Sequence, residues 1–503
     1  MNTLTSRVIT SLWFVFTNIA AKFLIHFGRM VILWRILNRA EFGLNGMAWT
    51  AINLATLLQD MGFSQELIRR KHDLAAAISV TWYANVAIRL VIYAAIYFAA
   101  PLIAIAFKEP AVVTVLRVAG LCIILGAFGS ANEAILRKEF KFRLLTIIDG
   151  LEMLIQATAQ IVLALLGYGV WSLVYGSIIC TVARSVLLWW LSPIRVGRFD
   201  TRVAWEMFHF GKHMTISTIG LSLIKNMDYF FVGRYLGKEA LGVYTLGFKM
   251  SDFIAVNVIR SLGSVLYPAY SEAASDRDRL RGAWLRSVRF SMLFVLPMGV
   301  GLMLFCGEII RTFYENQEVI IVPMAILIVW SLLRGIGSPT GDLAKAIGKP
   351  AILTRAVLWH AVIMAPALYV VTGLLHLELE GALIAVSSVV AAAPFAGLLV
   401  CLIGTSKEVR FTTKQVFGAL LPSFASGACM VAGTLVSKLV LGLIWPSVPP
   451  AAMLCIVGPL SAIFYALALL RLFPATATEL RQLLDRRKSG RKAADTKAAT
   501  PVG

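Results

Sequence analysis

Charge is scarce in this 503-residue chain: Asp, Glu, Lys and Arg make up only 15% of it, and the acids number 27 against 47 bases. A soluble domain carries about 25% charged residues, so a soluble multidomain protein is excluded, although the length alone would suit one. The ~10-residue alternating segments that build a membrane β-barrel are missing. So is a G-x-x-x-x-G-K-[ST] phosphate loop, which removes intrinsic ATP hydrolysis. The six cysteines (Cys122, Cys180, Cys306, Cys401, Cys429, Cys455) are scattered among apolar segments without a C-x-x-C pair. Metal and redox chemistry therefore have no support, and packing is their expected role. The first apolar stretch is too long for a cleavable signal and carries Lys22 and Arg29 inside it.

What the chain has in abundance is apolar sequence, 59% of all residues. Stretches of ~20 such residues are long enough to cross a ~30 Å hydrocarbon core as helix. Fourteen are expected, near 8–34, 43–65, 76–106, 112–135, 145–167, 170–191, 210–233, 241–268, 286–313, 319–343, 352–373, 381–403, 416–441 and 450–472. The expected fold is all-α integral membrane with 14 transmembrane helices. With residues at span ends counted with the adjoining loop, 31 Lys and Arg fall in the termini and the loops after even-numbered spans. Six fall in the loops after odd-numbered spans, and ten lie within spans. Basic residues mark the cytoplasmic side, so both termini are expected there. The same distribution explains most of the net charge of +20, and no nucleic-acid partner is called for. The tail "RQLLDRRKSGRKAADTK" (481–497) suits anionic headgroups or disorder.

Two short segments recur. "RILNRAEFGL" (35–44) is echoed by "RYLGKEALGV" (234–243) at an offset of 199, and "GSANEAILRKEFK" (129–141) by "GSPTGDLAKAIGK" (337–349) at 208. Each pair is six spans apart. An even-span repeat places two lobes in parallel orientation about an axis along the membrane normal. The expected organisation is an N-lobe over 1–200, a C-lobe over 201–405, an added helix pair over 406–475 and a basic cytoplasmic tail over 476–503. Outer loops such as "LGYGVW" and "LHLELEG" leave no room for a catalytic domain, so a carrier is expected rather than an enzyme.

Charges within spans are costly and usually line a wet cavity or find a partner. Ten are basic: Lys22, Arg29, Arg89, Arg117, Arg184, Lys225, Lys249, Arg260, Arg334 and Lys438. Arg117 and Lys438 sit near span ends and are expected to snorkel, and Arg184 to reach the cytoplasmic interface. Lys22, His26 and Arg29 are spaced to share one helix face. With Arg89, Lys225, Lys249, Arg260 and Arg334 they form the candidate cationic lining. Lys225 is expected to pair with Asp228, and Lys249 with Asp252. Glu152, Gln156 and Gln160 make a second polar stripe, suited to sugar hydroxyls, to an ion or to a helix–helix hydrogen-bond seam. The basic excess implies an anionic ligand, and Arg and Lys suit phosphate.

The outer loop "RILNRAEFGL", "QDMGFSQELIRRK" (59–71), "ANEAILRKEFKF" (131–142) and "GYGVWSLVYG" (167–176) together resemble the polysaccharide transporter branch of the multidrug/oligosaccharidyl-lipid/polysaccharide (MOP) exporter superfamily, in particular its colanic-acid-type exporters. That resemblance implies flipping of undecaprenyl-pyrophosphate-linked oligosaccharide repeat units across a bacterial inner membrane to the periplasmic leaflet for exopolysaccharide, capsule or O-antigen synthesis. It implies a basic central cavity for the pyrophosphate, a role that would pass to Lys22, His26, Arg29 and Arg260. Membrane lipids and a polysaccharide polymerase with its export machinery are the implied partners. No cofactor is implied beyond H+ or Na+ coupling, with Glu152, Asp228 and Asp252 as the candidate acids and Gln156 as polar lining. The rival readings are a cation-coupled multidrug exporter of the same superfamily, a scramblase, and a membrane-embedded glycosyltransferase or polymerase. The charge bias makes one outcome checkable at once. Alkaline phosphatase fused to either terminus should be inactive, and an active fusion at either end would contradict the assigned orientation.

Overall fold

The computed structural model of the chain describes residues 24–56, 59, 61–70, 72–139, 141–208, 226–252, 270, 276–314, 317–474, 476 and 478. These residues are helical almost throughout, with no strand among them. In chain order the helices are α1 (24–36), α2 (Arg39–Ala55), α3 (Phe63–Arg69), α4 (Leu74–Phe107), α5 (Val112–Ala119), α6 (Leu121–Lys138), α7 (Phe142–Leu165), α8 (Val170–Leu191) and α9 (201–208). Then follow α10 (Met227–Phe231), a π-helical turn (Val232–Leu236), α11 (237–252), α12 (Arg277–Phe313), α13 (Ile321–Ala346) and α14 (Pro350–Tyr369). A second π turn (Val370–Leu374), α15 (Leu379–Val409), α16 (Thr413–Ile444) and α17 (Pro450–Leu472) complete the chain.

Ten helices among the described residues are long and apolar enough to cross a membrane, with α5 and α6 acting as one (Val112–Lys138). They stand where the apolar runs predict them. The expected spans near 8–34, 43–65, 210–233 and 241–268 run into residues outside those described. The main difference lies at helix ends that continue past the hydrocarbon. Helix α12 begins at Arg277 rather than near 286, because Asp276 caps it, accepting from the N–H groups of Asp278 and Arg279. Its first turns then bury Leu280 and Trp284, the latter stacked 4.1 Å from Phe411. Hydropathy does not see such an end, since one buried face among arginines leaves the average polar.

Helix starts are written in local chemistry. Asn38 accepts from the Glu41 N–H at 2.9 Å while Glu41 accepts from the Asn38 N–H at 2.8 Å, a reciprocal cap that opens α2. Thr412 and Gln415 open α16 in the same way.

Two compact units result: residues 24–246 with 365–386, and residues 247–364 with 387 onward. In the first unit α7 lies along α8, α8 along α6, and α6 along α4. In the second, α12 packs on α13, α16 and α17, and α16 on α17. Lipid gives no hydrophobic push between helices, so close packing and interhelical hydrogen bonds hold them. Gly176 on α8 shows how: a Cβ there would stand 3.1 Å from the Gln160 backbone nitrogen of α7. At that approach Gln160 Nε2 donates to the Leu173 carbonyl at 3.1 Å and to Ser177 Oγ at 3.4 Å.

Gly176→Leu should therefore separate α7 from α8, at a cost of about 1–3 kcal/mol for overpacking. Thermal unfolding in detergent is expected to move down by several degrees relative to Gly458→Leu, a position with nothing within 4 Å of an added Cβ. Equal midpoints would contradict the contact.

Candidate functional site

Of the candidate lining, Lys22, Lys225 and Arg260 lie outside the described residues. His26 and Arg29 stand on α1, Arg89 on α4, Asp228 on α10, Lys249 and Asp252 on α11, and Arg334 on α13. Glu152 and Gln156 stand on α7.

Arg29 is the centre of the first cluster. Its Nη1 donates to Gln156 Oε1 at 2.6 Å, and its Nη2 donates to His26 Nδ1 at 3.0 Å. An arginine has only donors, so His26 must accept through Nδ1, which requires the neutral imidazole. The Arg29 Nε is buried and has no hydrogen-bond partner. Both groups hydrogen-bonded to the guanidinium among the described residues are thus neutral, and its Nε is unused. The geometry joins two sequence signals that stood apart, the basic face of the first span and the polar stripe of the fifth.

Arg184, expected at the cytoplasmic interface, is the opposite case. Its Nη2 donates to Glu133 Oε2 of α6 at 3.1 Å, and its Nη1 reaches Asp149 Oδ1 at 2.9 Å and Glu152 Oε2, both on α7. Glu133 also takes a 2.7 Å bond from Arg137. Glu152, a candidate for ion coupling, is therefore a counter-ion to Arg184, and it accepts from Cys180 Sγ besides. Sequence reasoning overlooked Glu133 and Asp149. The signal for Asp149 was there, since Asp149, Glu152, Gln156 and Gln160 follow one face of α7 at steps of three and four. The stripe is divided three ways: acids to Arg184, Gln156 to Arg29, and Gln160 to the α8 backbone as a helix seam.

Several other in-span charges are answered as well. Asp252 accepts from Arg334 Nη1 at 2.6 Å, so its arginine comes from α13, and Arg334 lies 4.7 Å over the Trp330 ring. The carboxylate of Asp228, 2% exposed, accepts from the Tyr244 hydroxyl at 2.6 Å. Its expected partner Lys225 is outside the described residues. Lys438 does not snorkel free: it donates to Glu308 and to the Leu304 carbonyl at 2.7 Å, tying α16 to α12. Arg117 lies 4.3 Å over the Tyr97 ring. Arg89 packs its guanidinium at Gly126, where an added Cβ would be 3.1 Å away. Among the described residues no group of three or more His, Cys, Asp or Glu has the arrangement to hold a metal ion.

Comparison with known proteins places this arrangement. A family model described as "Polysaccharide biosynthesis protein" matches residues 32–323, more than half of the chain. The chain is similar to the Lipopolysaccharide biosynthesis protein WzxC of Escherichia coli (strain K12), 23% identical over 346 residues that cover 68% of this chain and 70% of that protein. It is 26% identical over 342 residues to the Succinoglycan biosynthesis transport protein ExoT of Rhizobium meliloti (strain 1021), covering 67% and 68%. Among solved structures it superposes on the Lipid II flippase MurJ in an inward closed conformation, with TM-score 0.68 and 17% identity over 90% of this chain and 99% of that one. An inward-facing multidrug resistance MATE family transporter of the MOP superfamily gives TM-score 0.62 and 18% identity over 78% and 96%. The chain belongs to the polysaccharide biosynthesis protein family, and its fold is that of the MOP-superfamily transporters.

Proposed function

We propose that this protein flips polyprenyl-pyrophosphate-linked oligosaccharide repeat units from the cytoplasmic to the outer leaflet, by alternating access of two lobes around a cationic cavity. It is a transporter, not an enzyme. The observation that carries the choice of cargo is Arg29, a half-buried cation whose two hydrogen-bond partners among the described residues are neutral and whose Nε is unused. A diphosphate supplies what that guanidinium lacks, since charge-assisted bonds from arginine to phosphate are short and bidentate. Gln156 and His26 hold the group in place without neutralising it, so its charge is available to a ligand.

The same census weighs against the drug-exporter reading. Cationic cargo needs an acid with charge to spare, yet of the three candidate acids Glu152 and Asp252 are each bound to an arginine, while Asp228 has the neutral Tyr244 hydroxyl. Coupling to H+ or Na+ through any of the three would have to loosen that bond first. The named relatives work in lipopolysaccharide and succinoglycan biosynthesis, which supports a role in polymer export. A polymerase and export machinery would then receive the flipped unit.

Deleting the protein should stop polymer export while lipid-linked repeat units accumulate on the cytoplasmic side, and normal surface polymer without a redundant exporter would overturn the proposal. Arg29→Ala should reproduce the deletion at unchanged membrane abundance, whereas full export would remove Arg29 from the site. Arg184→Ala should instead lower abundance, because it strips the shared partner from three half-buried carboxylates on α6 and α7. Immunoblots of membrane fractions separate the two behaviours.

A further inference from the structure

Helices α6 and α8 leave between them a groove of about 520 Å³, walled by Phe128, Val182, Val186, Trp189 and Trp190, a volume suited to a small ligand. Its floor is built from small residues. Gly129 brings the two helices together, since a Cβ there would stand 3.3 Å from the Ser185 Cα. Ser185 turns its hydroxyl back to the Leu125 carbonyl at 2.8 Å, and Trp189 Nε1 donates to the Phe128 carbonyl at 2.7 Å. The polar side-chain atoms of the groove are thus spent on α6, and water finds no partner in what is left. Val182, Val186 and Trp190 are 40%, 60% and 77% exposed on a helix long and apolar enough to span a membrane, so the groove opens to lipid. Val182, Val186 and Trp189 also fall on the opposite side of α8 from Arg184, which faces the acids of α7. The groove therefore lies apart from the polar stripe that holds Arg29.

Trp189 and Trp190 stand just before the last residue of α8, Leu191, the place of an aromatic belt at a membrane interface. From there the groove runs about 12 Å inward to Val182, at ~1.5 Å per residue. Past α8 the chain runs without regular structure over 193–200 and turns back along α4, where the Gly197 N–H donates to Ser79 Oγ at 2.8 Å. A row of rings joins that segment to the groove wall. Phe199 meets Tyr83 edge-on at 6.1 Å, Tyr83 meets Trp82 at 5.1 Å, and Trp82 meets Phe128 at 6.0 Å. The segment carries Arg195 and Arg198, both exposed and neither in an ion pair among the described residues. The acid beside them, Asp200, is turned to the N–H groups of Arg202 and Val203. Two unspent cations thus stand at the interface, next to an apolar groove that points into hydrocarbon. An anionic lipid has the same division, with its phosphate at the interface and its chains below.

We propose that this groove and the segment above it bind an anionic phospholipid of the bilayer, with one acyl chain between α6 and α8 and the phosphate on Arg195 and Arg198. The site is independent of what the protein transports. Native mass spectrometry of the purified full-length protein, delipidated and titrated with dioleoylphosphatidylglycerol or dioleoylphosphatidylcholine, tests it. The protein should retain a phosphatidylglycerol at lipid concentrations where it retains no phosphatidylcholine. Arg195→Gln with Arg198→Gln should weaken that binding by about tenfold or more, as the loss of two arginines near the headgroups implies. Val186→Trp, which fills the groove from its exposed side, should weaken it as well. Lys407→Gln with Lys414→Gln, an equal loss of charge at exposed positions of the second unit, should leave it unchanged. A preference that survives the arginine changes or Val186→Trp overturns the site. A preference lost equally in the lysine control shows diffuse attraction only and overturns it too. Displacement of the retained phosphatidylglycerol by equimolar undecaprenyl diphosphate would assign the groove to cargo and contradict the proposal.

Discussion

A guanidinium inside a hydrocarbon slab has to be answered, because water is not there to answer it. That constraint organises the structure more than any other. Arg184 is answered by three carboxylates from two helices, Arg334 by one from α11, and Lys438 by Glu308 together with a backbone carbonyl. Each answer ties one helix to another, so the charge pairs double as rivets within the two units. Arg29 is answered differently, by an amide and an imidazole. Those groups satisfy its hydrogen bonds in part and leave its charge standing. Arg184 is spent on structure, Arg117 and Arg334 lie over rings, and Arg29 is the cation that, as we propose, meets a ligand.

The second constraint is closeness. Helices in lipid adhere by fitting, and the fit here is set by glycines that let one backbone touch another. Gly176 brings α7 within reach of α8 so that Gln160 can bridge them, and Gly43 with Gly242 brings the two repeated segments into contact. The first of these joins helices that also share an acidic cluster. The second joins α2 and α11, where Gly46 also packs against Leu241 and Thr245. The same device therefore serves neighbours in sequence in one place and segments 199 residues apart in another.

Much of the fold could be read from hydropathy and little of the site. Span positions follow from apolar runs, and the helix from Val170 to Leu191 begins and ends where its run does. Ends that continue as half-buried helix, such as the start of α12 around Trp284, escape a hydropathy reading because arginines flank the buried face. The spacing of Lys22, His26 and Arg29 marked a functional face, and the spacing of Glu152, Gln156 and Gln160 another. What spacing on one helix cannot tell is which face meets which. Arg29 and Gln156 are 127 residues apart, and the sorting of the acids between Arg184 and Arg334 depends on helix rotations that no local pattern encodes. The repeat at offset 199 was legible as a repeat, whereas the reciprocal contact between its copies needed coordinates.

The claim on which the account turns is that Arg29 keeps its charge for a diphosphate. The direct measurement is binding of undecaprenyl diphosphate, against undecaprenol as the uncharged control, to the purified full-length protein in lipid nanodiscs. The account predicts that the protein prefers the diphosphate and that Arg29→Gln removes the preference while leaving undecaprenol binding alone. A preference that survives Arg29→Gln would contradict it.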